Sequence, residues 1–204
     1  FYAVLMYGIA LRIQKMSMMD IVWSLGLGAG TIFLFLETEI QSFNSWAALG
    51  LMLLWSARMG SHLFFNRILS DGEDSRYQRL KDHSGSFWKW VFLLCFLLQV
   101  VFISIFLFPI KSAIQGSESG IGISHVFGLI IGCLALAGET LSDIQLDRFC
   151  TKPENKKKVC KEGFWRYSRH PNYFFEWLFW FSFVGLSGGC EQFYISFIGP
   201  MVMY

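Results

Sequence analysis

Charge is scarce in this chain. Aspartate, glutamate, lysine and arginine make up 16% of its residues, against about 25% in an average soluble domain. That shortage, set against so much apolar bulk, excludes a disordered segment, and the composition equally excludes collagen, a coiled coil and a disulfide-stapled secreted module. Cysteine is sparse and odd in number, at five, and no pair is spaced as CxxC; Cys95 and Cys133 fall inside apolar runs, and Cys150 and Cys160 flank a basic loop. Neither a zinc site nor a disulfide framework is expected from such spacing. Missing too are a glycine-rich GxGxxG turn after a strand, a Walker loop, a GxSxG elbow and an HExxH helix, which removes the common soluble nucleotide, hydrolase and metalloprotease signatures.

What is present is apolar bulk. Of 204 residues 54% are hydrophobic and 18% aromatic, including 22 phenylalanines and eight tryptophans, and the mean hydropathy is +0.45. A water-soluble core of this size could not hide so much. The expected class is all-α, a polytopic transmembrane helical bundle of six to seven spans, because only helices and closed barrels satisfy their backbone in lipid. Apolar runs place the spans at about 1–11, 20–36, 46–65, 88–110, 123–142, 173–188 and 193–204. They form one transmembrane domain over 1–204, within which the first four and last three spans are candidate sub-bundles; both ends fall in apolar runs, as expected for part of a longer protein.

Charge placement orients this bundle. The connections at 12–19, 66–87 and 143–172 hold 14 of the 17 basic residues; the alternate connections hold only Lys111, and Arg58 and Lys89 lie in or beside spans. The positive-inside rule puts the basic connections on the cytoplasmic side, of a bacterial inner membrane or of the endoplasmic reticulum. Residues 115–120 read as a short flexible link on the other side, and the run from Lys156 to Lys158 as charge attracted to anionic lipid.

Ionisable residues in or beside spans are where chemistry is expected, since each is costly in lipid. Arg58, His62 and Asn66 recur every four residues on one helical face: either His62 moves a proton, or Arg58 anchors the bundle through Asp20 or Glu139. Glu139, Asp143 and Asp147 share a face ahead of Arg148. Their mutual repulsion calls for a donor, such as a ribose, an amide or an arginine, unless they are a solvated helix end. Next, the segment from Gly163 to Tyr173 sets Arg166, Tyr167, Arg169 and His170 before Pro171, which suits the first position of a helix; helix starts favour anions. Asn172 and Glu176 follow on one face. A phosphate beside a polar heterocycle would fit the group; a plain interfacial anchor is the alternative. Asp71 to Leu80 alternates in charge and reads as an amphipathic helix on the membrane surface, or as a flap over a ligand.

The set Asp20-x-x-Trp23, Trp55-Ser-Ala-Arg58, Glu73-Asp-Ser-Arg76-Tyr77, Glu139-x-x-x-Asp143-x-Gln145-Leu146 and Arg169-His-Pro-Asn-Tyr173 resembles the DUF1295 family of membrane proteins. That family is similar to the steroid 5-alpha-reductase C-terminal group and, more distantly, to isoprenylcysteine carboxyl methyltransferases. The resemblance implies a cofactor site opening to the cytoplasm, holding NADPH as in the reductases or S-adenosylmethionine as in the methyltransferases. Carried over by motif, Asp143 matches the reductase Ser-Asp pair, and Asn172 and Glu176 match an N-[YF]-x-G-E element in which Phe175 stands for the usual glycine. Glu139, Arg148, Tyr167, Arg169, His170 and Tyr173 follow by neighbourhood. Where the reductases carry a His-Tyr pair this chain reads His62-Leu63, so His62 and Arg58 are the catalytic candidates. Family members also continue into a basic, tyrosine-containing segment not found here. The expected activity is an NAD(P)H-dependent reductase of an unsaturated lipid or steroid-like substrate; the alternatives are methyl transfer and non-catalytic lipid binding. The expected partners are membrane lipids and a hydrophobic small molecule, with no nucleic acid.

Overall fold

Long apolar runs wind into helices, even where they hold Gly26, Gly28 and Gly30 or Pro109. The computed structural model describes residues 2–69, 72–115, 120–156 and 158–204, among which there is no strand. The helices are α1 (Tyr2–Ile13), α2 (Met18–Leu36), α3 (Phe43–Leu63), α4 (Ser75–Ser84), α5 (Trp88–Ile114), α6 (Ile123–Cys150), α7 (Pro171–Leu186) and α8 (Ile198–Met203). Asp71, Lys157 and residues 116–119 of the expected outer link lie outside the described residues.

The first six expected spans map onto α1, α2, α3, α5, α6 and α7, with ends shifted by up to eight residues. The run read as 123–142 continues to Cys150, and the run read as 173–188 begins at Pro171. By length and apolar composition, three helical stretches suffice to cross a membrane: Met18–Leu36, α6, and the part of the Ser75–Ile114 stretch formed by α5. α3 is long enough at 21 residues but carries Asn44, Ser45, Ser56, Arg58, Ser61 and His62, whereas α7 has 16 residues. The run expected at 193–204 forms a 3-10 turn over Phe193–Phe197 and then the six-residue α8.

The chain divides into two compact units. One comprises Phe1–Glu39 and Met52–Phe108, the other Ile40–Leu51 and Pro109–Tyr204. In the first, Tyr7, Met16, Met19, Val22, Tyr77, Phe92 and Phe96 form a buried cluster, and Trp23 meets Trp55 and Phe106 edge-on at 5.1 and 5.9 Å. Small residues let helices touch: the Ser56 hydroxyl donates to the Ser24 carbonyl at 2.8 Å beside Gly28.

In the second unit α6 and α7 form the main pairing. A Cβ on Gly128 would come within 2.7 Å of Leu186 N and Ser182 O, and one on Gly185 within 2.6 Å of the Gly128 Cα. The two backbones therefore pack directly on each other, a spacing that any side chain would open. At one end of the pair His125, 3% exposed, accepts the Gly122 N–H at Nδ1 (2.9 Å) and donates from Nε2 to the Gly188 carbonyl (2.6 Å). Towards the other end Gly138 faces the ring of Phe175 with no room for a methyl group between.

Candidate functional site

The C-terminal end of α6, the start of α7 and the segment between them gather most of the expected cofactor residues. Along α6 the three carboxylates form a gradient: Glu139 is 2% exposed, Asp143 half-buried and Asp147 exposed. Across the helix pair the Asn172 amide donates to Asp143 Oδ1 at 3.2 Å, and Glu176 is buried. Glu139, Asp143 and Glu176 each have further partners. One donor to this acidic face is the protein's own Asn172, which bonds Asp143. Asp147 and Arg148 stay outside the group, exposed.

The start of α7 differs from the simple anion site that its sequence suggests. Pro171 carries no N–H, and the Tyr173 N–H is already donated to Asn172 Oδ1 at 3.1 Å. Arg169 and His170 turn elsewhere, into a cavity of about 950 Å³ lined also by Leu146, Lys158, Val159, Cys160, Lys161, Trp165, Arg166, Tyr167 and Ser168. Four of these side chains are lysine or arginine and none is aspartate or glutamate. Tyr167 and Tyr173 are largely exposed, and the Tyr173 ring stacks on His170 with centroids 5.2 Å apart.

Two hydrogen bonds from α6 fix the cavity wall. Gly163 adopts φ +55°, a left-handed conformation that glycine reaches without strain, and the Gln145 side chain fills the space where its Cβ would stand. That amide oxygen accepts the Phe164 N–H at 2.9 Å, while Trp165 Nε1 donates to the Ser142 carbonyl at 2.8 Å. Phe164 then packs edge-on against Phe175 at 5.1 Å. The spacing pattern does not single out Gln145 or the cavity's Lys161, whereas Lys158 belongs to the basic run from Lys156; Gln145 is part of a quoted motif, but nothing in one helix indicates a role for a residue 19 positions on.

The catalytic candidates His62 and Arg58 belong to the first unit. His62 lies in the last turn of α3, and the Asn66 amide lies 3.2 and 3.3 Å from its two ring nitrogens. Their shared face persists although α3 gives way to a π-turn over Phe64–Ile68, a local widening often found at functional positions. Asp20 pairs with Arg67 and Arg76, and the Tyr77 hydroxyl donates to it at 2.6 Å. The charged segment after Asp71 is therefore not a freely solvated face. Glu73 accepts the Met16 and Ser17 N–H groups at the start of α2, and Asp74 caps α4. Arg76 hydrogen-bonds the Asp74 carboxylate and, with more distant help from Arg67, holds its carboxyl below the usual range despite burial.

Among the described residues no group of three or more histidine, cysteine, aspartate or glutamate side chains is arranged to hold a metal ion. No curated protein and no solved structure matches the chain. The model described as "Protein of unknown function (DUF1295)" matches residues 6–204, and with nearly its whole length covered the chain belongs to the DUF1295 family.

Proposed function

We propose that this protein is a membrane-embedded NAD(P)H-dependent reductase of an unsaturated, lipid-like substrate. The observation that carries this reading is the cavity beside α7, where Lys158, Lys161, Arg166 and Arg169 meet with no carboxylate among the lining residues. Its volume lies in the range of small-molecule sites, and its charge suits phosphates, which S-adenosylmethionine lacks. The bound nicotinamide would supply a hydride. The chain's own residues bind and orient: the four cations hold the phosphates, Asn172 and Asp143 present an amide and a carboxylate to a ribose or carboxamide, and buried Glu176 and Glu139 back them. His62, steadied by Asn66, is the proposed proton donor, with Arg58 as a charge on the same helix. The hydrophobic substrate would reach the protein from the bilayer, with the basic connections on the cytoplasmic side.

One observation favours methyl transfer instead. The acidic face of Glu139, Asp143 and Glu176 suits the ammonium and ribose of S-adenosylmethionine. A thermal-shift titration of the detergent-purified full-length protein with NADPH, NADH and S-adenosylmethionine separates the readings. A ligand that binds only the folded state adds about 2.7 kcal/mol at a hundred times its dissociation constant. The expected result is a rise with NADPH that Arg166→Gln with Arg169→Gln abolishes in a variant that still melts cooperatively. A rise with S-adenosylmethionine alone would overturn the reductase in favour of methyl transfer. No rise with any of the three would leave lipid binding as the function.

A further inference from the structure

The cationic cavity lies at the end of a helix long and apolar enough to cross a membrane, since Leu146 of α6 forms part of its wall. The ends of spanning helices sit at headgroup depth. Around this end Tyr167 is 84% exposed, Tyr173 64% and Phe174 51%, and tyrosine in particular concentrates at that depth. The cavity itself joins two surfaces that a bare inorganic phosphate does not use together. Leu146, Val159 and Trp165 supply apolar wall, and Lys158, Lys161, Arg166 and Arg169 supply positive charge without a neutralising acid. A phosphate that carries hydrocarbon satisfies both, whereas a free phosphate leaves the apolar wall wet. A zwitterionic headgroup brings its own cation into the cluster, so charge complementarity selects a net anionic lipid.

We infer that the cavity binds the phosphate headgroup of an anionic bilayer lipid, which occupies it in competition with the cofactor. The competition rests on the reductase reading above; the lipid site does not. Bilayer composition then sets cofactor affinity: lipid occupying the cavity nine-tenths of the time raises the apparent dissociation constant for NADPH about tenfold.

The test uses the full chain in nanodiscs of phosphatidylcholine, alone or mixed with phosphatidylglycerol. Native mass spectrometry reads the lipid that survives release, and NADPH titration reads affinity. Expected are one retained phosphatidylglycerol, its loss in Lys158→Gln with Lys161→Gln, its displacement by NADPH, and weaker NADPH binding in the mixed discs. Equal retention by the variant would overturn the site, and NADPH bound on top of retained lipid would overturn the competition. If glycerol phosphate added to phosphatidylcholine discs weakens NADPH binding as much, the ligand is a soluble phosphate. If discs made equally negative with oleate do so, surface charge alone explains the effect, and either result refutes the inference. Absence of NADPH binding in pure phosphatidylcholine discs would count against the reductase reading, while retention and its loss in the variant still decide the lipid site.

Discussion

At the scale of single residues, Asp74 links helix geometry to pH. Its carboxylate accepts the Arg76 N–H at 2.9 Å and pairs with the Arg76 guanidinium at 3.0 Å. Because Arg76 depresses the folded-state pKa, the stabilisation is fully present above the ordinary carboxylate range and is lost as pH falls through the lowered folded value. Asp74→Ala is expected to cost about 1 kcal/mol at neutral pH, as loss of a helix cap does. The variant's melting temperature should fall less steeply than the parent's in acid, measured by fluorimetry across a pH series. His125 contributes through both ring nitrogens, accepting at Nδ1 and donating at Nε2. His125→Phe keeps the bulk and strands the Gly122 N–H and Gly188 carbonyl, for an expected loss of about 1–3 kcal/mol in chemical denaturation. An unchanged midpoint would mean that water replaces both bonds.

Between elements, the decisive contact is the backbone touch of α6 and α7. Gly128→Leu must push the helices apart, and the expected loss is about 1–3 kcal/mol, the usual range for overpacking. Gln145→Leu tests a different coupling, from α6 to the cavity wall. Removing the acceptor for Phe164 is expected to weaken NADPH binding by about tenfold while costing about 1 kcal/mol of stability; a fall in stability with unchanged affinity would assign Gln145 to folding alone. The helices themselves were legible, since a long apolar run has little alternative in lipid, and Pro171 marks the start of α7 by its missing donor. The pairings were not. Asp20 and Tyr77 stand 57 positions apart, and spacing along one helix says which residues share a face but not what that face meets. Asp143 illustrates the limit: its need for a donor could be read from the Glu139–Asp143–Asp147 repeat, but Asn172 as that donor required the helix pair.

For the whole molecule, the arrangement of basic connections makes a topological prediction. Cys150, exposed at the end of α6, and Cys190, just past α7, should lie on opposite sides of the membrane. In intact spheroplasts carrying single-cysteine variants, an impermeant maleimide is expected to label Cys190, and Cys150 only after permeabilisation. Labelling of both from one side would mean that α7, with its 16 residues, does not cross. The seam between Gly138 and Phe175 bears on how such a protein changes over generations. Phe175 stands directly ahead of the buried Glu176, and the space for its ring is given by a glycine on the opposite helix. Neither position is then free to vary alone. A larger residue at 138 is acceptable only after 175 has become small, so the two should be inherited as a pair: among relatives, bulk at one position should be matched by a small residue at the other.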